Sequence, residues 1–366
     1  MWASGSTEPL PGRSSPCRFL FAAGTGLALS ASAAAQDATD FGVEPWRDAV
    51  VSVAEFEPAT ALFREAGEWR LVASGDVERS QLDYWRLDEN ASARFERWCA
   101  PMADTGCLLF LRFEGVEQEP IRPAARAWDT GGIYSMMVRS DDVPGLYSAA
   151  LDLGWWAESP PIRFQFGASD LRNVVLQGPH GINLAVYERI TPEFTAFPVG
   201  RISQGFNSMR MVRDRETSRA FYADTLGFGV LFDATREPDE PAFSNFGIPY
   251  NLTPEIVRAA TALYPVPGET GRIEVMQIAG FTGRDHSERA SPPNLGHLAV
   301  RYPVRDLAGY RAMLEERGVA IAFSGNSIDA PAIGETAMFT VRDPDGNLTT
   351  FYAMPDAGEP TEGPAQ

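Results

Sequence analysis

The 366-residue sequence predicts an α+β fold in which one unit, a strand, then a helix, then further strands, occurs four times. Three observations predict it. Short runs that alternate or are wholly apolar precede segments with 3-4 apolar spacing, the signatures of strand and helix. Gly154, Gly227 and Gly318 each follow a helical segment, where a glycine in left-handed conformation ends the helix. The pattern returns about every 70–80 residues.

In the first unit Ala49–Phe56 reads as strand and Ala59–Ala66 as a short helix, followed by strands at Trp69–Ala73, Leu82–Leu87 and Cys107–Phe113. The second has strand Ile133–Val138, helix Val143–Leu153 and strands Ile162–Phe166, Asn173–Leu176 and Asn183–Tyr187. The third has strand Met209–Val212, a helix near Glu216–Thr225, and strands Val230–Phe232 and Ile273–Ile278. Between Asp233 and Arg272 it carries an insertion rich in Pro and Phe, which fits either a lid or a loop packed on its own side chains. Periodicity leaves Ile256–Tyr264 between strand and helix; strand is preferred, because residues 267–271 then form a hairpin loop into Ile273. The fourth has strand Leu298–Tyr302, helix Leu307–Arg317 and strands Ala320–Phe323, Ala337–Val341 and Leu348–Tyr352. Residues 46–190 and 206–355 are the expected domains, with 191–205 as linker and 356–366 as an acidic mobile tail.

With 44% hydrophobic and 22% charged residues, the chain can bury the cores of two domains. Its net charge of −18 argues against nucleic acid and anionic membrane surfaces, which need clustered cations. All 31 basic residues are arginine, so no lysine is available to anchor PLP or to serve a nucleotide-binding P-loop. Arg13 and Arg18 precede the apolar run Phe19–Ala31, and Ala33-Ala34-Ala35 precedes Gln36, the layout of a signal peptide over residues 1–35. The run falls short of the roughly 20 apolar residues of a spanning helix. An exported, periplasmic or secreted protein without membrane insertion is therefore expected. Cys99 and Cys107 are either bridged, as export favours, or two buried thiols.

The third unit contains Val212 and Asp214, Ser218, Phe221-Tyr222 and Leu226-Gly227-Phe228. The fourth ends Val341-Arg342-Asp343-Pro344-Asp345-Gly346-Asn347-Leu348. These resemble the entry helix and closing strand of vicinal oxygen chelate modules, the group of glyoxalase I, extradiol dioxygenases and bleomycin-resistance proteins. Asp152-Leu153-Gly154-Trp155 and Gly178-Pro179-His180-Gly181 echo the two motifs in the first half. The resemblance implies two tandem glyoxalase-like half-barrel domains, each of two βαβββ modules, with the ligand held on a concave face. Four modules in one chain would supply internally the pairing that shorter members reach by dimerising, which is compatible with a monomer.

Carried over, the family's metal positions fall on Asn207, Glu274, His297 and Thr350. Glu274 and His297 are good ligands for one divalent ion, Asn207 is weak and Thr350 weaker. Parity puts Asn207, Met209 and Met211 on one face, Glu274 and Met276 on one face, and His297, Ala299 and Arg301 on one face, as with Thr350 and Tyr352. A cavity lined by Met209, Met211, Met276, Arg301, Thr350 and Tyr352 is expected in the second half, with Glu274 and His297 as a metal or acid–base pair. The plain alternative is a strand glutamate partnered by Arg301 or Arg272 beside a hydrogen-bonded histidine. The first half is expected to be mainly scaffold, and His180 and His286 to be loop residues. Two functions stay open: a metal-assisted lyase or isomerase, with an extradiol dioxygenase less favoured, or a non-catalytic binder of a small organic molecule.

Overall fold

The computed structural model describes residues 38–354; the expected signal at 1–35 and tail at 356–366 lie outside the described residues. All four modules form. Module 1 comprises β1 (Asp48–Ser52), α1 (Phe56–Glu65), β2 (Arg70–Asp76), α2 (Arg79–Tyr84), β3 (Ser92–Cys99) and β4 (Cys107–Glu114). Module 2 comprises β5 (Ile133–Arg139), α3 (Val143–Asp152), β6 (Trp156–Ala157), β7 (Ile162–Phe166), β8 (Ser169–Gln177) and β9 (Asn183–Thr191). Module 3 comprises β10 (Asn207–Met211), α4 (Arg215–Ala220), β11 (Gly229–Arg236), β12 (Val257–Tyr264) and β13 (Arg272–Ala279). Module 4 comprises β14 (Gly296–Val304), α5 (Leu307–Glu316), β15 (Ile321–Ala330), β16 (Gly334–Arg342) and β17 (Leu348–Ala353).

Local chemistry sets the helix boundaries. The carboxylates of Asp142, Asp214 and Asp306 accept the backbone N–H of Gly145, Thr217 and Gly309 at 2.9 Å, capping α3, α4 and α5. Past α3 and α5, and past the π-helical segment Phe221–Thr225 that continues α4, Gly154, Gly318 and Gly227 take φ of 80°, 81° and 76°, a region that glycine enters without steric cost. The insertion does contain the strand read at Ile256–Tyr264, which is β12.

The modules do not pair in sequence order. One curled sheet runs β15-β16-β17-β14-β1-β4-β3-β2, and the other runs β11-β12-β13-β10-β5-β9-β8-β6, with β7 on β8. Modules 1 and 4 therefore build an outer half-barrel and modules 2 and 3 an inner one, so neither 46–190 nor 206–355 closes a half-barrel alone. Central antiparallel pairs, β1 with β14 and β5 with β10, join the modules. The crossovers 115–132 and 280–295 run together, bridged at Pro120–Leu295 and Thr130–Asp285. Asp129 accepts the backbone N–H of Arg284 at 2.8 Å and its guanidinium at 3.0 Å. The segment 191–205, expected to link two domains, runs from the end of β9 towards β10 within the inner half-barrel.

Leu82–Leu87 is not a strand. Residues 79–84 form α2, and Arg79 donates to the carbonyls of Leu87 and Asp88 at 2.9 and 3.1 Å, fastening the turn that follows. The strand in its place is β3. Its last residue, Cys99, is disulfide-bonded to Cys107 at the start of β4, with the Cα atoms 4.5 Å apart.

The half-barrels share one core that includes Trp46, Phe63, Met136, Tyr222, Tyr302 and Phe351. Tyr302 on β14 donates to the Gly271 carbonyl of the inner half-barrel at 3.0 Å. The Asp343–Asn347 turn also joins the two. Asp343 accepts from its own Asn347 amide and from Tyr222 Oη, both at 2.8 Å, and lies 3.9 Å from the fully buried Arg210 on β10. This part of the motif is a structural tie between half-barrels.

Candidate functional site

The two concave faces differ. In the outer half-barrel α2 lies in the concavity, and Tyr84 stands among buried Leu109, Leu298, Phe323 and Met338. Tyr84 Oη and Thr340 Oγ1 are 2.7 Å apart, as are the hydroxyls of Thr340 and Thr350. A space of only about 20 Å³ remains, bordered by Arg301 and Thr350. Arg301 donates to Asp48 at 2.6 Å and Arg97 reaches the other Asp48 oxygen at 2.5 Å. Burial alone would raise the Asp48 pKa, but the two arginines hold it below its ordinary value. Arg301, Thr350 and Tyr352 therefore belong to a filled core, a correction to their expected place in a ligand cavity.

The inner half-barrel keeps a cavity of about 500 Å³. Parity fixes its walls. Parallel pairing sets Asn207 beside Arg272, Met209 beside Glu274 and Met211 beside Met276, so all six share the concave face. Asn207, Glu274 and Met276 line the cavity, while Met209 and Met211 are buried in the core beneath it. Module 2 supplies much of the remainder, including Met137, Arg139, Tyr187 and Arg189. The first half is thus no mere scaffold. The expectation of a scaffold passes over a signal in module 2: Met137 with Arg139, and Tyr187 with Arg189, show the two-residue spacing of one strand face. Phe246 of the insertion also lines the cavity, and Ile248 packs in the same core.

Glu274 is 8% exposed and accepts from Asn207 Nδ2 at 3.2 Å. Burial lifts its pKa to about 7, and the Asn207 bond offsets part of that rise. Burial, and then the neighbouring Glu274 charge, also raises the Tyr187 phenol. The cavity wall thus holds a carboxyl group able to exchange a proton near neutral pH.

His297 does not join it. A β-bulge sets Val51 opposite His297 and Val50 opposite Ala299, leaving Leu298 as the extra residue. Leu298 and Ala299 pack in the outer concave core, whereas Val51 lies in the shared core on the other face. His297 is turned with Val51, and its Nε2 lies 3.0 Å from the Asn183 carbonyl oxygen and 3.2 Å from the Asn183 amide nitrogen. Burial lowers its pKa to about 4, so the ring is a neutral strut against module 2. Of the other histidines, His180 sits in the turn between β8 and β9. His286 lies in the paired crossovers, its Nε2 3.6 Å from Asp129.

The donors present do not fit the divalent ion implied by the resemblance. Among the described residues no group of three or more His, Cys, Asp or Glu could hold one. Of the four carried-over positions, only Asn207 and Glu274 face one cavity, and the Asn207 side-chain oxygen is engaged by the Ser208 N–H at 2.8 Å.

Paired βαβββ modules curled about a concave face define the vicinal oxygen chelate fold, and the chain adopts it. Solved structures of similar extent include glyoxalase I from Zea mays, at TM-score 0.56 and 17% identity over 84% of this chain and 92% of that one. A point mutant of the same maize enzyme gives 0.57 and 17% over 87% and 96%. A candidate dioxygenase from Bacillus subtilis gives 0.51 and 11% over 86% of each chain. These identities show the fold alone. The sequence matches no protein-family model and no curated protein.

Proposed function

We propose that the chain is an exported protein that binds a small organic molecule with an apolar or aromatic body in the inner half-barrel. The observation that carries this is the cavity of about 500 Å³, with Phe206, Phe232, Phe246 and Met276 in its walls. The matching concavity of the outer half-barrel is filled by its own helix. Support for export comes from the residues before Gln36 and from the Cys99–Cys107 bridge, a bond typical of oxidising compartments. Expression in a bacterium with a working secretion system should yield a mature chain beginning at or near Gln36. N-terminal sequencing that finds residues 1–35 retained in the exported fraction would refute export.

The binding test uses 2-naphthamide, a neutral aromatic probe, followed by calorimetry. Ala260 on β12 lines the cavity, and Ala260→Trp places an indole in that space. The parent should bind and the variant should lose at least about tenfold in affinity. Unchanged binding by a folded variant would put the ligand elsewhere.

Glu274 favours a second reading, a lyase or isomerase that moves a proton without a protein-bound metal. Its carboxyl, near pKa 7, would take a proton from bound substrate and return it at another atom, with Asn207 fixing its orientation. Glu274→Gln should then abolish turnover of a substrate that it still binds. A variant that retains turnover would show that Glu274 is not the group that moves the proton.

A further inference from the structure

The cavity is lined by five arginines, Arg139, Arg189, Arg236, Arg258 and Arg272, and by two glutamates, Glu269 and Glu274. The chain as a whole carries −18, so its cavity has a charge opposite to that of the molecule. Three of the arginines, Arg139 and Arg189 of module 2 and Arg272 of module 3, gather where the two modules meet. Arg139 is buried, with a side chain 7% exposed, and it reaches Glu269 only at 3.4 Å. Arg272 shares that glutamate at 3.3 Å and turns Nε to the Gly268 carbonyl at 3.0 Å. Among the described residues Arg189 has no carboxylate partner. The Nε atoms of Arg139 and Arg189 are both buried and unbonded. Phe194 holds the two guanidinium groups together, at 4.0 Å from its ring centre for Arg139 and 5.2 Å for Arg189, and Phe206 lies 4.5 Å from Arg139. Aromatic faces fix and partly stabilise these cations but do not neutralise them.

One glutamate against three clustered cations leaves an excess of positive charge beside an apolar chamber. Unpaired buried charge is costly, and an anion held by charge-assisted hydrogen bonds removes that cost. We infer that the ligand is an aromatic or apolar molecule bearing one carboxylate, with the carboxylate seated between Arg139 and Arg189 and the body against Phe206 and Met276. This rests on the cavity reading above and adds the ligand's charge and direction. Arg139 is next but one to Met137, which pairs with Asn207, so the anion would stand on the same wall as Glu274.

The test compares 2-naphthoate with 2-naphthamide, a pair alike in shape and different in charge, by calorimetry on the purified full chain. The parent should bind the carboxylate on the order of tenfold to a hundredfold tighter. Arg189→Gln, at a partly exposed position that leaves the core intact, should bring the two affinities within about twofold while preserving that of the amide. Arg139→Gln should do the same, and Arg258→Gln, at a separate patch, should keep the preference. Equal binding of the two probes by the parent overturns the inference and leaves the cavity reading standing. So does a preference that survives Arg189→Gln or is lost instead in Arg258→Gln. Failure of both probes to bind removes the cavity reading, and this inference with it.

Discussion

Glu274 and His297 are both buried, and burial moves their pKa values in opposite directions, to about 7 and about 4. Their effects on stability have opposite signs. The folded state disfavours ionised Glu274, so as pH rises from about 4.5 through 7 the unfolded chain gives up this proton first and stability falls. The folded state also disfavours charged His297, so stability falls as pH drops from about 6.5 through 4. In the parent the two slopes largely offset each other. Glu274→Gln removes one of them, and the variant should exceed the parent by on the order of 3 kcal/mol at pH 8 and match it near pH 4. Urea denaturation at the two pH values checks this; equal stability at pH 8 would mean that the carboxyl is well solvated. The same two residues show how far side-chain alternation can be read from sequence. Strict alternation holds through Asn207, Met209 and Met211 and through Glu274 and Met276, which the register sets side by side, although Met209 and Met211 are buried in the core and do not line the cavity. It breaks at Leu298, where one extra residue in β14 turns His297 away from Ala299 and Arg301. A bulge of this kind depends on the partner strand, and nothing in Gly296-His297-Leu298-Ala299 announces it.

Helices and most strands were legible because their signals are local. Asp142, Asp214 and Asp306 begin three helices; α3 and α5 end within a residue of their expected positions before Gly154 and Gly318, whereas α4 stops at Ala220 and a π-helical segment, Phe221–Thr225, carries the chain on to Gly227. The errors lie in module 1. Leu82 and Tyr84 invite a strand, but both point from α2 into the core of a half-barrel closed by module 4, a setting that the local sequence does not reveal. β3 carries charged residues between its apolar ones, Ala93 and Phe95 alternating with Arg94 and Glu96, a two-residue period that was overlooked. The plug matters for function. It fills the outer concavity, so that of the two concave faces described the inner one keeps room for a ligand.

At the scale of the whole molecule, the nesting of modules 2 and 3 inside modules 1 and 4 was not legible, because the β1–β14 and β5–β10 pairs join strands far apart in sequence. Periodicity shows that each first strand has an edge to offer, and says nothing about which strand takes it. The consequence can be tested by dividing the chain between Pro198 and Val199, in the connection from β9 to β10. Separated this way, β1 loses β14 and β5 loses β10, exposing two long central edges along with half of the shared core. Each fragment alone should lack a cooperative melting transition and should aggregate or associate. Co-expressed, the two should co-purify as a one-to-one complex with the cavity restored, since both half-barrels draw one module from each fragment. Circular dichroism melts and size-exclusion chromatography distinguish the outcomes. A cooperative monomer from residues 199–366 alone would mean that modules 3 and 4 can close on each other in sequence order. The cavity would then lose the Arg139 and Arg189 wall without losing Glu274, and ligand binding by that fragment would measure what module 2 contributes.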